Sequence, residues 1–136
     1  MANGCFDPFH VGHLYYLKEA KSLGRVLIVS VTADAYVNKP SRPIFPAEER
    51  AAVIRELRCV DGVIIVKSGD EAVRRIKPDI YVKGKEYEGK LTEQGYVESY
   101  GGRVVFTSGP IYSSTALVTG RYLEAECAAG GGLHKG

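Results

Sequence analysis

Cysteine is scarce and poorly placed for structural work: three residues, Cys5, Cys59 and Cys127, in a chain of 136. An odd, widely spread set without CxxC spacing excludes a disulfide framework and a zinc knot, and leaves reduced thiols as the expectation. Charge of one sign is also lacking. With 18 Lys and Arg against 16 Asp and Glu, the formal net charge is only +2, so any basic pocket must be local and no general nucleic-acid or membrane surface is expected. No apolar run approaches the length of a membrane span, and no charged-then-apolar segment opens the sequence. A cytoplasmic protein is therefore expected. Internal repeats are missing too. What is present, 45% hydrophobic and 25% charged residues, suits one compact globular domain. That domain is expected over residues 1–125, with the glycine-rich, aperiodic residues 126–136 as a flexible tail.

The stretch NGCFDPFHVGHLYYLKEAKSL, residues 3–23, is the richest in chemistry. His10 and His13 stand three apart with Gly12 between them, so at helical spacing both rings share one face of the first turn. Asp7 and Pro8 just upstream can supply an acidic cap and a fixed φ; Leu14, Leu17 and Ala20 continue as a buried stripe, and Gly24 ends the helix. A helix start exposes unpaired N–H groups and a partial positive charge, which suit a phosphate, and Gly12 has no side chain to hold that phosphate away. A single histidine in such a place is as readily a cap or a half-buried polar residue.

The remainder alternates apolar runs with amphipathic stretches. Almost nothing precedes Asn3, so the first strand is expected to be short or truncated. Residues 26–31 (VLIVSV) read as a strand covered on both faces, and Asp34 follows at its C-terminal end, where ligands bind in open parallel sheets. The loop over residues 38–44 holds Lys39 and Arg42, which either reach phosphates over that edge or are solvated surface charge. A second helix opens at Pro46 with Glu48 and Glu49 in its first turn; Ala52, Val53 and Leu57 read as its buried stripe, and Arg50 and Arg58 as surface residues. A buried strand over 63–66, a short helix over 70–76 and a parallel neighbour over 80–82 follow, then a helix over 94–100 and a strand over 104–106. Ser113, Ser114 and Thr115 precede Ala116, Leu117 and Val118, a hydroxyl-rich helix start that either caps or holds phosphate. The pattern predicts a single α/β domain, a Rossmann-like doubly wound parallel sheet with helices on both faces.

The string Asn3-Gly4-Cys5-Phe6-Asp7, followed after two residues by His10-Val11-Gly12-His13, resembles the signature of the nucleotidylyltransferase superfamily, whose HxGH element is shared with class I aminoacyl-tRNA synthetases. Within it, the chain is most similar to ADP-heptose-type sugar-phosphate adenylyltransferases and glycerol-3-phosphate cytidylyltransferases, over roughly residues 3–123. The resemblance implies an enzyme in which a phosphate oxygen of the acceptor attacks the α-phosphorus of a nucleoside triphosphate and pyrophosphate leaves. His10, His13 and Lys39 would be the catalytic donors. Gly4, Cys5, Phe6, Asp7, Gly12, Arg42, Lys83, Gly84, Ser113, Ser114 and Thr115 would bind the nucleotide, the last three resembling the family's Ser-Thr-Thr element. Residues 83–87 (KGKEY) resemble Lys-Gly-Gly-Asp-Tyr of the heptose type, which brings in Glu86, whereas Glu88-Gly89-Lys90 is similar to the glycerol-phosphate type. Residues 58–63 (RCVDGV) resemble a motif with a recurring arginine and aspartate, so Arg58 and Asp61 join Asp34 and Glu86 as substrate-side candidates.

The glycerol-phosphate enzymes carry an arginine shortly upstream of the hydroxyl element, and residues 108–112 contain none. That favours ATP with a sugar phosphate over CTP with glycerol 3-phosphate. Magnesium is expected with the triphosphate and no carboxylate metal cage is seen; the expected partners are a nucleoside triphosphate and a small phosphorylated acceptor, without nucleic acid or membrane, in a homodimer. A nucleotide-binding module without turnover is the rival from another class.

Overall fold

The apolar runs become five parallel strands, β1 (Ala2–Gly4), β2 (Ile28–Thr32), β3 (Gly62–Val66), β4 (Ile80–Lys83) and β5 (Arg103–Phe106), in a computed structural model that describes residues 1–109. Parallel neighbours need crossover connections, and four helices supply them: α1 (Val11–Ser22), α2 (Ala47–Arg55), α3 (Gly69–Ile76) and α4 (Gln94–Ser99). The sheet order is β3-β2-β1-β4-β5. The chain thus builds outward from β1 in one direction, then returns and builds outward in the other, which makes a topological switch point between β1 and β4.

β1 is central although it has only three residues, as its brevity in the sequence suggested. It pairs with β2 from Ala2↔Val29 to Gly4↔Val31, but with β4 only at Ala2↔Val82. The two strands diverge beyond that pair. The hydroxyl of Tyr16 on α1 enters the gap: it accepts the Asn3 N–H at 3.1 Å and donates to the Val82 carbonyl.

Two apolar layers flank the sheet. Leu17 and Ala20 of α1 and Ala51 and Ile54 of α2 pack with Val29, Val31 and Val82 on one face. Ala72 and Val73 of α3 and Val97 of α4 pack with Met1, Val66 and Tyr81 on the other. Because side chains alternate along a strand, Tyr81 and Val82 enter opposite layers.

Three expectations are corrected. The stripe of α2 is Ala47, Arg50, Ala51 and Ile54, with Val53 53% exposed, because the helix begins at Ala47 and its sheet-facing side follows i, i+3, i+4, i+7 from there. β3, expected to be buried, is an edge strand in which only Val66 is fully buried and the other residues are half-buried, because no strand covers its outer edge. Finally, α3 does not join neighbours: it carries the chain from β3 past β2 and β1 to the far side of β1. Among the described residues no helix is long and apolar enough to cross a membrane.

Candidate active site

β1 ends at Gly4, and the turn from Cys5 to His10 delivers the chain into α1 at the C-terminal edge of the sheet. Phe6 takes a left-handed backbone, φ 54°, and folds its ring against Gly4, where a Cβ would meet it at 3.1 Å. A side chain at position 4 would require that ring to give way by a few tenths of an ångström. The Phe6 ring also meets His13 edge-on, with centroids 5.1 Å apart.

The two histidines build the start of α1 themselves. His10 is the N-cap, in extended backbone, and its Nδ1 accepts the Gly12 N–H at 3.1 Å. Nδ1 of His13 in turn accepts the His10 N–H at 3.2 Å, a reciprocal capping box made of imidazoles. The rings stack with centroids 3.8 Å apart and planes 18° apart. A nitrogen that accepts cannot carry a proton, so both rings are held as the Nε2–H tautomer, each a hydrogen-bond donor through Nε2. Burial, the neighbouring His10 and Lys39 push His13 down to about 3, and burial lowers His10 as well. Both imidazoles are therefore neutral at physiological pH.

Asp7 is not the cap expected for α1. Its buried carboxylate accepts the Ile44 N–H at 2.6 Å and the Phe45 N–H at 3.1 Å, while Nη1 of Arg42 donates to the Asp7 carbonyl at 3.2 Å. The loop over residues 38–46 is thus tied to the turn before α1, and the charge of Lys39 is felt at His13. Lys83 comes to the same edge at the end of β4. Its ammonium donates to the carbonyl and Oδ1 of Asn3, each at 3.4 Å, and lies 4.2 Å from the Tyr87 ring centroid. Burial pushes Lys83 down to about 8, with Glu93, Cys5 and Glu86 opposing the fall. At Gly84 a Cβ would collide with the Glu86 carboxylate, which folds over that position.

Three candidates are placed elsewhere. Asp34 stands at the expected strand end, but its carboxylate is occupied by Arg50 at 2.6 Å and by the Ala47 N–H at 2.9 Å, so it caps α2. Asp61 lies at the opposite, N-terminal edge, paired with Lys21 at 2.7 Å and accepting the Leu27 N–H at 2.7 Å; Arg58 is exposed three residues before it. Ser113, Ser114 and Thr115 fall outside the described residues.

Arg50 is the residue that sequence reasoning misplaced. Only 3% exposed, it donates to the carbonyls of Phe45, Cys5 and Thr32, each at 2.8 Å, and to Asp34. One guanidinium so fastens the ends of β1 and β2 to the loop bearing Lys39. Its signal was its place in the Ala47-Arg50-Ala51-Ile54 stripe.

Neutral imidazole donors, a helix start, and cations on two neighbouring loops converge at the switch point, where an open α/β sheet takes its ligand. Such a set stabilises negative charge on phosphate oxygens.

Residues 1–116 match the family described as Cytidylyltransferase-like. The chain is 41% identical over 108 residues to Bifunctional protein HldE of Syntrophotalea carbinolica, covering 75% of this chain and 22% of that protein. With Bifunctional protein HldE of Pelobacter propionicus it shares 39% over 129 residues, 90% of this chain and 26% of the other. It spans about a quarter of the length of these curated relatives. Among solved structures, the lipopolysaccharide core biosynthesis protein from Thermoplasma volcanium GSS1 is similar at a TM-score of 0.68 and 38% identity, with 82% of this chain and 96% of that one covered. A protein of unknown function from Archaeoglobus fulgidus shares the fold alone, at a TM-score of 0.62 and 21% identity over 81% of this chain and 98% of its own. On the family match over residues 1–116, supported by these relatives, the chain belongs to the cytidylyltransferase-like family of nucleotidyltransferases.

Proposed function

We propose that this domain transfers a nucleoside monophosphate from a nucleoside triphosphate to a small phosphorylated acceptor, with ATP and a sugar phosphate of the heptose 1-phosphate type as the pair. The observation that carries the reading is the stacked His10–His13 pair, locked as Nε2–H donors at the start of α1 beside the switch point. An acceptor phosphate oxygen attacks the α-phosphorus, the bond from that phosphorus to the bridging oxygen breaks, and pyrophosphate leaves. Charge grows on the phosphorus-bound oxygens and on the leaving pyrophosphate. Donors already fixed in place meet that charge without reorganising, and this is the protein's main contribution. His10 and His13 fill that role, with Lys39 and Arg42 approaching from the loop after β2 and Lys83 from the end of β4.

Magnesium enters as part of the substrate, bound to the triphosphate. The residues of the site fit that arrangement, since they are hydrogen-bond donors suited to phosphate, and the Asp7 carboxylate is already occupied by two backbone N–H groups. Preference for a sugar phosphate is supported by the resemblance of residues 83–87 to the heptose type, and by a similar structure described as a lipopolysaccharide core biosynthesis protein.

Pyrophosphate release, measured across the four ribonucleoside triphosphates and a panel of sugar and polyol phosphates, tests the proposal. Release with ATP and a hexose or heptose 1-phosphate is expected. Faster release with CTP and glycerol 3-phosphate would reverse the choice of substrates, and tight nucleotide binding without release under any pairing would make the domain a binding module.

A further inference from the structure

On the sheet face away from α1, a buried polar cluster lies beneath the start of α3, and the transfer chemistry above leaves most of it unused. Asn3, Ser30, Lys83 and Glu93 are each at most 8% exposed, and Tyr81 is fully buried. Tyr81 and Lys83, two apart on β4, project to the same face. Nδ2 of Asn3 donates to Ser30 Oγ at 2.7 Å, which turns the amide so that Oδ1 meets the Lys83 ammonium. The Tyr81 hydroxyl donates to Oε2 of Glu93 at 2.9 Å, and Thr92 Oγ1 donates to Oε1 at 3.1 Å.

Gly69 shows how tightly these atoms gather. A Cβ at the first residue of α3 would collide with Oε2 of Glu93 and would lie 2.6 Å from the Tyr81 hydroxyl and 3.2 Å from Asn3 Oδ1. A carboxylate in such a place is costly unless it is hydrogen-bonded and balanced by a cation. Two hydroxyls meet the first need, and the buried cation of the same cluster is Lys83.

We propose that Glu93 is a positioning residue for nucleotidyl transfer: its carboxylate, held by Tyr81 and Thr92 under Gly69, keeps the Lys83 ammonium charged and seated on Asn3 at the gap between β1 and β4. This deepens the phosphate reading of the site and rests on it. The groups whose charge acts on Lys83 are Glu93 before α4, Cys5 from the turn after β1, Glu86 from the turn after β4 and Lys39 from the loop after β2, and the Tyr87 ring lies against its ammonium. Burial lowers Lys83 to about 8, and Glu93 is the strongest of the groups that resist this. Without that negative charge the ammonium deprotonates at a lower pH and its attraction for phosphate is lost.

Glu93→Gln keeps the shape and the acceptor for Tyr81 while removing the charge. Two readouts separate this proposal from the reaction itself. Competitive acetylation with mass spectrometry, on ligand-free protein across the pH range, follows the titration of Lys83 without any catalysis. The expected result is a fall of about tenfold in the proton affinity of Lys83. Calorimetric titration with magnesium ATP should then show several-fold weaker binding at about pH 8 that recovers at about pH 6, where the lysine is charged again.

A Lys83 titration that does not move, whatever happens to melting, overturns the proposal, since a purely structural Glu93 would change only stability. A lowered titration with unaltered nucleotide binding also overturns it, and assigns the fault to the phosphate role of Lys83. Should the glutamine variant fail to fold, Glu93→Asp draws the charge back by one methylene, and the same measurements are expected to move the same way by less.

Discussion

His13 is fixed by the fold in one role and proposed for another. Its Nδ1 accepts the His10 N–H and so closes the start of α1, and in the proposed reaction the Nε2–H that this bond leaves is the donor to phosphate. Replacement by alanine removes both functions, but their magnitudes differ. Loss of a cap costs about 1 kcal/mol of stability, whereas loss of one donor to transition-state charge lowers turnover by about 10² to 10³. His13→Ala should therefore melt a few degrees lower yet lose most of its pyrophosphate release; turnover near that of the parent chain would show that His13 is a cap and nothing more. The pairing of His10 with His13 was legible in the sequence, because three-residue spacing alone puts two side chains on one face of a helix turn. That each Nδ1 is occupied by a backbone N–H was not, since it depends on where the helix begins. The structure starts α1 one residue after His10 and gives Asp7, the expected cap, a different task.

At the scale of elements, α2 and the loop before it are attached to the sheet through Arg50, whose guanidinium meets three carbonyls and Asp34 in a nearly water-free setting. Each buried carbonyl left without a donor costs about 1 to 3 kcal/mol. Arg50→Met should accordingly destabilise the domain by at least about 3 kcal/mol in denaturant unfolding. Asp34→Asn should cost less than about 1 kcal/mol, because the Asp34 side chain is 49% exposed and an amide oxygen can still accept the Ala47 N–H. Equal losses in the two variants would mean that the ion pair, and not the carbonyls, is what Arg50 is for. Strand and helix order was readable from apolar periodicity, and the ends of the elements fall within about two residues of expectation except at the start of α1, which lies three residues later than an Asp7 cap would put it. The inward face of α2 was not readable to the same degree. A stripe of Ala52, Val53 and Leu57 and one of Ala47, Arg50, Ala51 and Ile54 both have helical spacing, and only the sheet beneath decides between them.

For the whole molecule, the sheet order places the site and also removes candidates from it. His10, His13, Lys83 and the loop over residues 38–46 lie at the C-terminal edge, while Asp61, joined to Lys21 and Leu27, lies at the other. Hydrogen exchange with saturating magnesium ATP should slow amides in residues 5–13, 38–46 and 83–87 and leave residues 58–62 unchanged. Protection concentrated at residues 58–62 would move the nucleotide to the N-terminal edge and restore Arg58 and Asp61 as ligands. The sequence by itself determined the class of fold and the placing of His10 and His13 on one helix turn, because both depend on neighbours within a few residues: alternating apolar runs specify strands and helices, and spacing along a helix specifies which side chains share a face. Only the tertiary structure decided which distant groups meet. Asn3 and Lys83 are 80 positions apart, and Cys5 and Arg50 are 45 apart; their contacts exist because β4 returns to lie beside β1, and because α2 packs on β2 and β3 with Arg50 reaching over to the turn after β1. Whether a charged residue such as Arg50 or Glu93 is solvated or buried depends on the elements packed over it, and that burial is what turns an ordinary surface type of residue into a fixed part of the fold.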